Sequence, residues 1–241
     1  MNYFKDAEDL LIHAKDKLDQ IKTVYSQSIN EQAIKKTLLI DVKNIMENLR
    51  SALDFCAHGL FEKYGFTKKN RPQIYFPYAA LKTSKVEFQR KKIIESKIPG
   101  IENRPDIVKL LEKFQHFESE NNKWLPVFMD LNNENKHLKL TPQIKKNHKQ
   151  LIIASGNKGL PLGIGSQITI AEGASFQFGE AIIEGNQTFS AENPPKINGG
   201  GYSIVKLWTA VLFDKNNEEV VPFLEKSLIG VSNIVDELSK I

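Results

Sequence analysis

Residues 34–60 read IKKTLLIDVKNIMENLRSALDFCAHGL, and the placing of their apolar side chains decides the first half of the fold. Ile34, Leu38, Ile45, Leu49, Leu53, Cys56 and Leu60 fall at helical intervals, so one stripe of a long helix faces a core. The segment runs on to Gly65, a residue suited to the position just past a helix end. Upstream, Leu10, Leu11, Ala14, Leu18, Ile21 and Tyr25 draw a second such stripe. A break is expected at Ser28 to Asn30, with Asn30 capping the second helix. Two long helices joined by a short turn make an antiparallel hairpin, the seed of a bundle. A basic loop, Lys68 to Pro72, and an extended Ile74-Tyr75-Phe76-Pro77-Tyr78 come next. Further helices are expected over Ser84 to Ile98, stopped by Pro99-Gly100, then from Pro105 through Phe117, and last over Lys123 to Asn133.

The period changes in the remainder of the chain. Ile168-Thr169-Ile170, Ser175 to Ile183 and Tyr202 to Phe213 are β-branched, aromatic and bounded by glycines, which predicts strands. Glu172-Gly173-Ala174 and Glu184-Gly185-Asn186 read as their hairpin turns, and Ala191 to Gly201 as a loop. Gly156 to Gly165 is glycine-rich, yet no Gly-Lys-Ser/Thr follows, so it reads as a connecting loop rather than a phosphate loop. Val221, Leu224, Leu228, Val231, Val235 and Leu238 define a closing amphipathic helix. The expected class is α+β: an N-terminal helical bundle followed by a small antiparallel sheet with a C-terminal helix packed on it.

Composition supports this division and narrows the functions. With 241 residues, 41% of them hydrophobic, the chain can bury a real core and is neither collagen-like nor disordered. Residues 1–150 hold 27 basic and 19 acidic side chains, all five histidines and three glycines; residues 151–241 hold 6, 10, none and eleven. Two domains are therefore expected, a helical bundle at 1–150 and a sheet with its helix at 151–241. No apolar run reaches the roughly eighteen residues of a membrane helix. The start, Met1-Asn2-Tyr3-Phe4-Lys5-Asp6, lacks the basic-then-apolar pattern of a signal peptide. A single cysteine, Cys56, can neither pair within the chain nor build a zinc site alone. A cytoplasmic protein without membrane contact is expected.

The candidate chemistry lies on the second helix. Arg50, Asp54 and His58 stand at i, i+4 and i+8 and so spread over about 80° of one face. A carboxylate between a guanidinium and an imidazole can fix the histidine tautomer, leaving Arg50 to hold a phosphate and His58 to move a proton. The competing reading is a charged stripe that only supports the helix. A second cluster runs from Asp130 to His137. It lacks the alternating oxygen ligands and turn glycine of a calcium loop, so neither a metal nor another cofactor is expected. Asn132 and the pair Lys136-His137 are better suited to a phosphate, against a capped helix end. Lys145 to Lys149 is a basic run, read first as a solvated face and second as a nucleic-acid contact. Cys56 reads as a buried structural thiol, and Trp124 and Trp208 as core anchors.

Arg50-Ser51-Ala52-Leu53-Asp54, the Phe76-Pro77 step, Trp124, Asn132 and Lys136-His137 together resemble a group of bacterial proteins. Its members carry an Arg-x-Ala-Leu-Asp helix, a Phe-Pro step and an Asn-x-x-Asp-Lys-His-Arg-like segment; here Glu134-Asn135 precedes Lys136-His137, and Leu138 follows. More distantly, the chain resembles HEPN domains, helical bundles of bacterial defence and toxin systems that cut RNA without metal. They use an arginine and a histidine paired across a homodimer and standing closer in sequence than Arg50 and His58. That likeness implies an RNA-binding, RNA-cleaving homo-oligomer. Arg50, His58 and His137 would be catalytic, and Asp54, Asn132 and Lys136 would bind substrate. The alternative is a non-catalytic, self-associating module that meets a protein partner or senses a ligand.

Overall fold

The computed structural model describes residues 2–27, 34–67, 72–137 and 140–241. The chain divides into two compact units, Met1–Ile144 with Leu212–Ile241 and Lys145–Val211. The class is α+β, with helices first, antiparallel strands next and a helix at the end.

The helical unit is built on α1 (Tyr3–Gln27) and α2 (Lys36–Tyr64), which lie against each other along their stripes. Ala14, Leu18 and Ile21 of α1 and Leu38, Ile45, Leu49, Leu53 and Leu60 of α2 are buried. A Cβ at Gly59 would lie 2.9 Å from the Phe4 ring, so the missing side chain lets the two helices approach. Gly65 does end α2, but at φ −78°; what demands glycine there is the Phe61 ring and carbonyl that a Cβ would strike. The turn at Ser28 to Asn30 and the loop at 68–71 lie outside the described residues.

Four shorter helices follow: α3 (Lys85–Arg90), α4 (Ile93–Lys97), α5 (Pro105–Lys113) and α6 (Trp124–His137). The single helix expected over Ser84 to Ile98 is broken where Lys92 takes a left-handed φ of 47°. Its start is as expected, with the Ser84 hydroxyl accepting from the Glu87 N–H. Likewise α5 stops at Lys113, and the Gln115 amide closes its end by donating to the Leu111 carbonyl at 2.8 Å. The closing helix, α7 (Val220–Ser239), lies against α1, α2 and α6. Its stripe of Leu224, Val231, Val235 and Leu238 thus completes the helical core, which is why it rejoins the first unit. Trp124 packs flat against the backbone of α7 at Gly230, where any Cβ would collide with the indole.

The second unit is carried by eight short or long strands, two of which run on into the first. They are β1 (Gln143–Ser155), β2 (Lys158–Pro161), β3 (Ile168–Ile170), β4 (Ser175–Phe178), β5 (Ala181–Glu184), β6 (Gln187–Phe189), β7 (Asn198–Gly199) and β8 (Gly201–Phe213). They pair in the orders β2-β1-β8, β3-β6 and β4-β5-β7. Leu151, Ile153, Ile170, Ala181, Ile183 and Phe189 form the core, with Val205 and Phe178 partly buried against it.

Four expectations are corrected here. The basic run is part of β1, and Gly156 opens the turn to β2, where a connecting loop was expected. Ser175 to Ile183 is two strands folded at Gly179, whose φ of 58° suits glycine. The segments 172–174 and 184–186 join strands that pair elsewhere, β3 with β6 and β4 with β5. The boundary accordingly falls after Ile144 rather than near Leu151.

Two buried acids make the helical unit sensitive to alkali. Burial pushes the Cys56 thiol up to about 12, helped by the nearby Asp54 charge, and burial also raises the Tyr25 hydroxyl. A folded pKa above the unfolded one gives stability that is complete below the unfolded value and is lost as pH rises. The thermal midpoint is expected to stay level through neutral pH and fall from about pH 9 upward. Cys56→Ala should flatten the first part of that fall in a calorimetric pH series, and an identical profile for the variant would refute the assignment.

Candidate functional site

The expected polar stripe is real in part. Arg50 Nε donates to Asp54 Oδ2 at 3.1 Å, and both side chains are about four-fifths buried, 18% and 21% exposed. The guanidinium lies 5.6 Å over the Tyr78 ring, and one of its terminal nitrogens rests on the Met129 sulfur of α6. The other carboxylate oxygen of Asp54 is also engaged, accepting from the Phe76 N–H at 2.8 Å. Phe76 belongs to an extended segment over residues 72–80 that joins no sheet. A buried peptide group without a ladder partner must find another. Gln115, itself 1% exposed, adds two more contacts: Oε1 accepts from the Ala79 N–H at 2.8 Å and Nε2 donates to the Pro77 carbonyl at 3.2 Å. Asp54 and Gln115 therefore clamp this strap onto the helices, and Arg50 neutralises the carboxylate that does so.

His58 belongs to a different contact. Its ring stacks on Tyr3 of α1 at 5.6 Å and 22°, beside the Tyr3–Phe55 pair. Asn132 sits on α6 one turn past Met129 and is 3% exposed, with no partner for Oδ1 among the described residues. The side chains of Lys136 and His137 lie outside the described residues. Arg50 and Asp54 thus meet each other and the strap, while His58 meets α1. Among the described residues no cluster of three or more histidines, cysteines or carboxylates could hold a metal. Nor is any described helix long and apolar enough to cross a membrane.

A second constellation emerges on the sheet, from the alternation of β1 and β8. Leu151, Ile153 and Val205 point into the core. Residues of the other parity, Lys146, His148 and Gln150 on β1 and Tyr202, Ile204, Lys206 and Trp208 on β8, share the opposite face. Past Lys206 the core ends, so Leu207 is exposed despite its inward parity, and Ala210 and Leu212 are buried. The ring geometry agrees. His148 stacks on Trp208 at 5.4 Å and 25°, and Lys206 Nζ lies 5.6 Å from the indole centre. On the reverse face the Thr209 hydroxyl donates to Asn147 Oδ1 at 2.8 Å, tying the same two strands in that register. Tyr202 and Ile204 are 50% and 42% exposed. Trp124 anchors the core as expected, whereas Trp208 is half-buried and stacks on His148 outside the core cluster. Sequence reasoning missed the face because the lysines of β1 concealed a strand; the signal was the alternation in Tyr202-Ser203-Ile204-Val205-Lys206.

Comparison with protein-family models, with curated proteins and with solved structures finds no match to this chain.

Breaking the clamp should be costly. Asp54→Ala orphans both the Phe76 N–H and a mostly buried guanidinium, so it should lower the unfolding free energy by about 2–3 kcal/mol. His58→Ala, which removes only a ring stack, should cost about 1 kcal/mol. Urea unfolding of the two variants checks the order, and equal losses would contradict the clamp.

Proposed function

We propose that the protein binds single-stranded RNA, and that the outer face of β1 and β8 is the contact surface. The observation that carries this reading is the face on which Tyr202 and Ile204 are exposed beside Lys206 and the stacked pair of His148 and Trp208. Aromatic rings accept the flat face of any base, and neighbouring lysines meet the phosphates between them. Charge supports the same surface. Lys146 and Lys206 lie on this face, and Lys145 and Lys149 stand on the same strand β1 with the opposite parity. The four acids of that unit, Glu172, Glu180, Glu184 and Glu192, all lie outside these two strands. A flat sheet presents stacking platforms to unpaired bases and does not enter the deep groove of an RNA duplex.

Binding rather than cutting is the better-supported activity. Both oxygens of Asp54 and one edge of Arg50 are occupied by the fold, and His58 is stacked on Tyr3. A catalytic pair needs a free phosphate-facing donor and a free imidazole nitrogen in one place. Single-stranded DNA shares the stacking and phosphate chemistry and serves as a comparison strand.

Fluorescence anisotropy with labelled RNA tests the reading. Tyr202→Ala should weaken binding about tenfold, since stacking one base contributes about 1–3 kcal/mol. Lys146→Ala with Lys206→Ala should reduce the slope of log affinity against log salt by about 0.7 for each phosphate that is no longer neutralised. His58→Ala should leave affinity unchanged. The proposal fails if the wild-type protein ignores single strands, or if the Tyr202 and lysine variants bind as it does.

A further inference from the structure

Resting on the RNA-binding reading, we propose that the cleft beside Tyr202 receives one base of the bound strand and that Glu180 selects guanine there. The cleft has a volume of about 440 Å³ and is lined by Ser155, Gly156, Lys158, Phe178, Gly179 and Glu180. It continues the stacking face directly, because the Tyr202 hydroxyl donates to the Gly156 carbonyl at 3.4 Å.

Glu180 is held at the lip by its backbone while its carboxylate stays uncommitted. Its N–H donates to the Ser155 hydroxyl at 2.9 Å, and its carbonyl accepts from the Gly200 N–H at 3.1 Å. Gly199, Gly200 and Gly201 pass so close over Glu180 and Ala181 that a Cβ at any of them would collide. The three glycines therefore bring the start of β8, and with it Tyr202, against the cleft. The Glu180 side chain has no hydrogen bond or ion pair among the described residues. Phe178 offers an aromatic wall, and Lys158 a cation for a phosphate at the rim.

The chemistry of the four bases then separates them. Guanine alone presents two parallel donors, N1–H and N2–H, on its Watson–Crick edge, and these match the two oxygens of one carboxylate. Adenine and cytosine present a single amino group beside an acceptor nitrogen. Uracil presents one N–H between two carbonyls, which a carboxylate repels. Along β8, Trp208 and Tyr202 are six residues apart, about 20 Å at the rise of a strand. A strand lying along the face from Trp208 thus reaches the cleft only after several nucleotides, a footprint of about four or more.

The test uses the intact chain and two labelled RNAs of equal length, an oligouridylate and an alternating guanine–uridine oligomer. The wild-type protein should prefer the guanine-bearing strand about tenfold, within the discrimination of one bidentate base pairing. Glu180→Gln keeps the side-chain size but loses one acceptor, so the preference should vanish while oligouridylate affinity holds. Equal affinity of the wild-type protein for both strands overturns the guanine site alone, as does a preference that survives Glu180→Gln. If neither strand binds, the reading of the sheet face itself falls and the guanine site with it. A thermal midpoint for Glu180→Gln equal to the wild type ties any change to recognition.

Discussion

Because side chains alternate across a strand, the inward packing of Leu151, Ile153 and Val205 sets Tyr202 and Ile204 on the opposite face. The core of residues 145–211 is small, and those three inward positions are essential to it. A shift of register by one residue would move Tyr202 and Ile204 inward and turn the core outward. The stacking of His148 on Trp208 and the Thr209–Asn147 hydrogen bond mark the register that avoids this. The outer face is thus a geometric consequence of the inner one. Its residue types are not. Exposed aromatic and aliphatic side chains among lysines do nothing for folding, and such faces mark surfaces that meet a ligand.

The helical unit shows the opposite use of polar groups. Arg50, Asp54 and Gln115 are spent on one structural problem, an extended segment that crosses buried ground without a strand to pair with. Asp54 and Gln115 between them satisfy Phe76, Pro77 and Ala79. The Phe76-Pro77 step fits this solution, since proline needs no donor partner and its neighbours are held by side chains instead. An arginine beside such a carboxylate lowers the cost of burying it.

What could be read from the sequence followed the range of each signal. The stripes of α1, α2 and α7 are local and periodic, so their helices were legible within a few residues. The pairing of Arg50 with Asp54 was legible for the same reason, being one helical turn. The third partner was not, because a carboxylate reaching a backbone N–H at Phe76 is a long-range contact that no spacing encodes. The break between α3 and α4 at Lys92 was equally hidden, for the residue is an ordinary helix former. β1 was masked by its lysines, which sit beyond the end of the small core and need no apolar alternation. Without β1 there was no partner for β8, and Trp208 looked like one more core aromatic.

Under the RNA-binding proposal two surfaces compete, the α2 stripe suggested by the sequence and the β1–β8 face. Photo-crosslinking separates them directly. With RNA carrying a photoreactive uridine, the crosslinked peptides should map to Tyr202–Trp208 and Lys145–Gln150. Crosslinks confined to Arg50–His58 and the end of α6, with none on β1 or β8, would contradict the sheet as the binding surface.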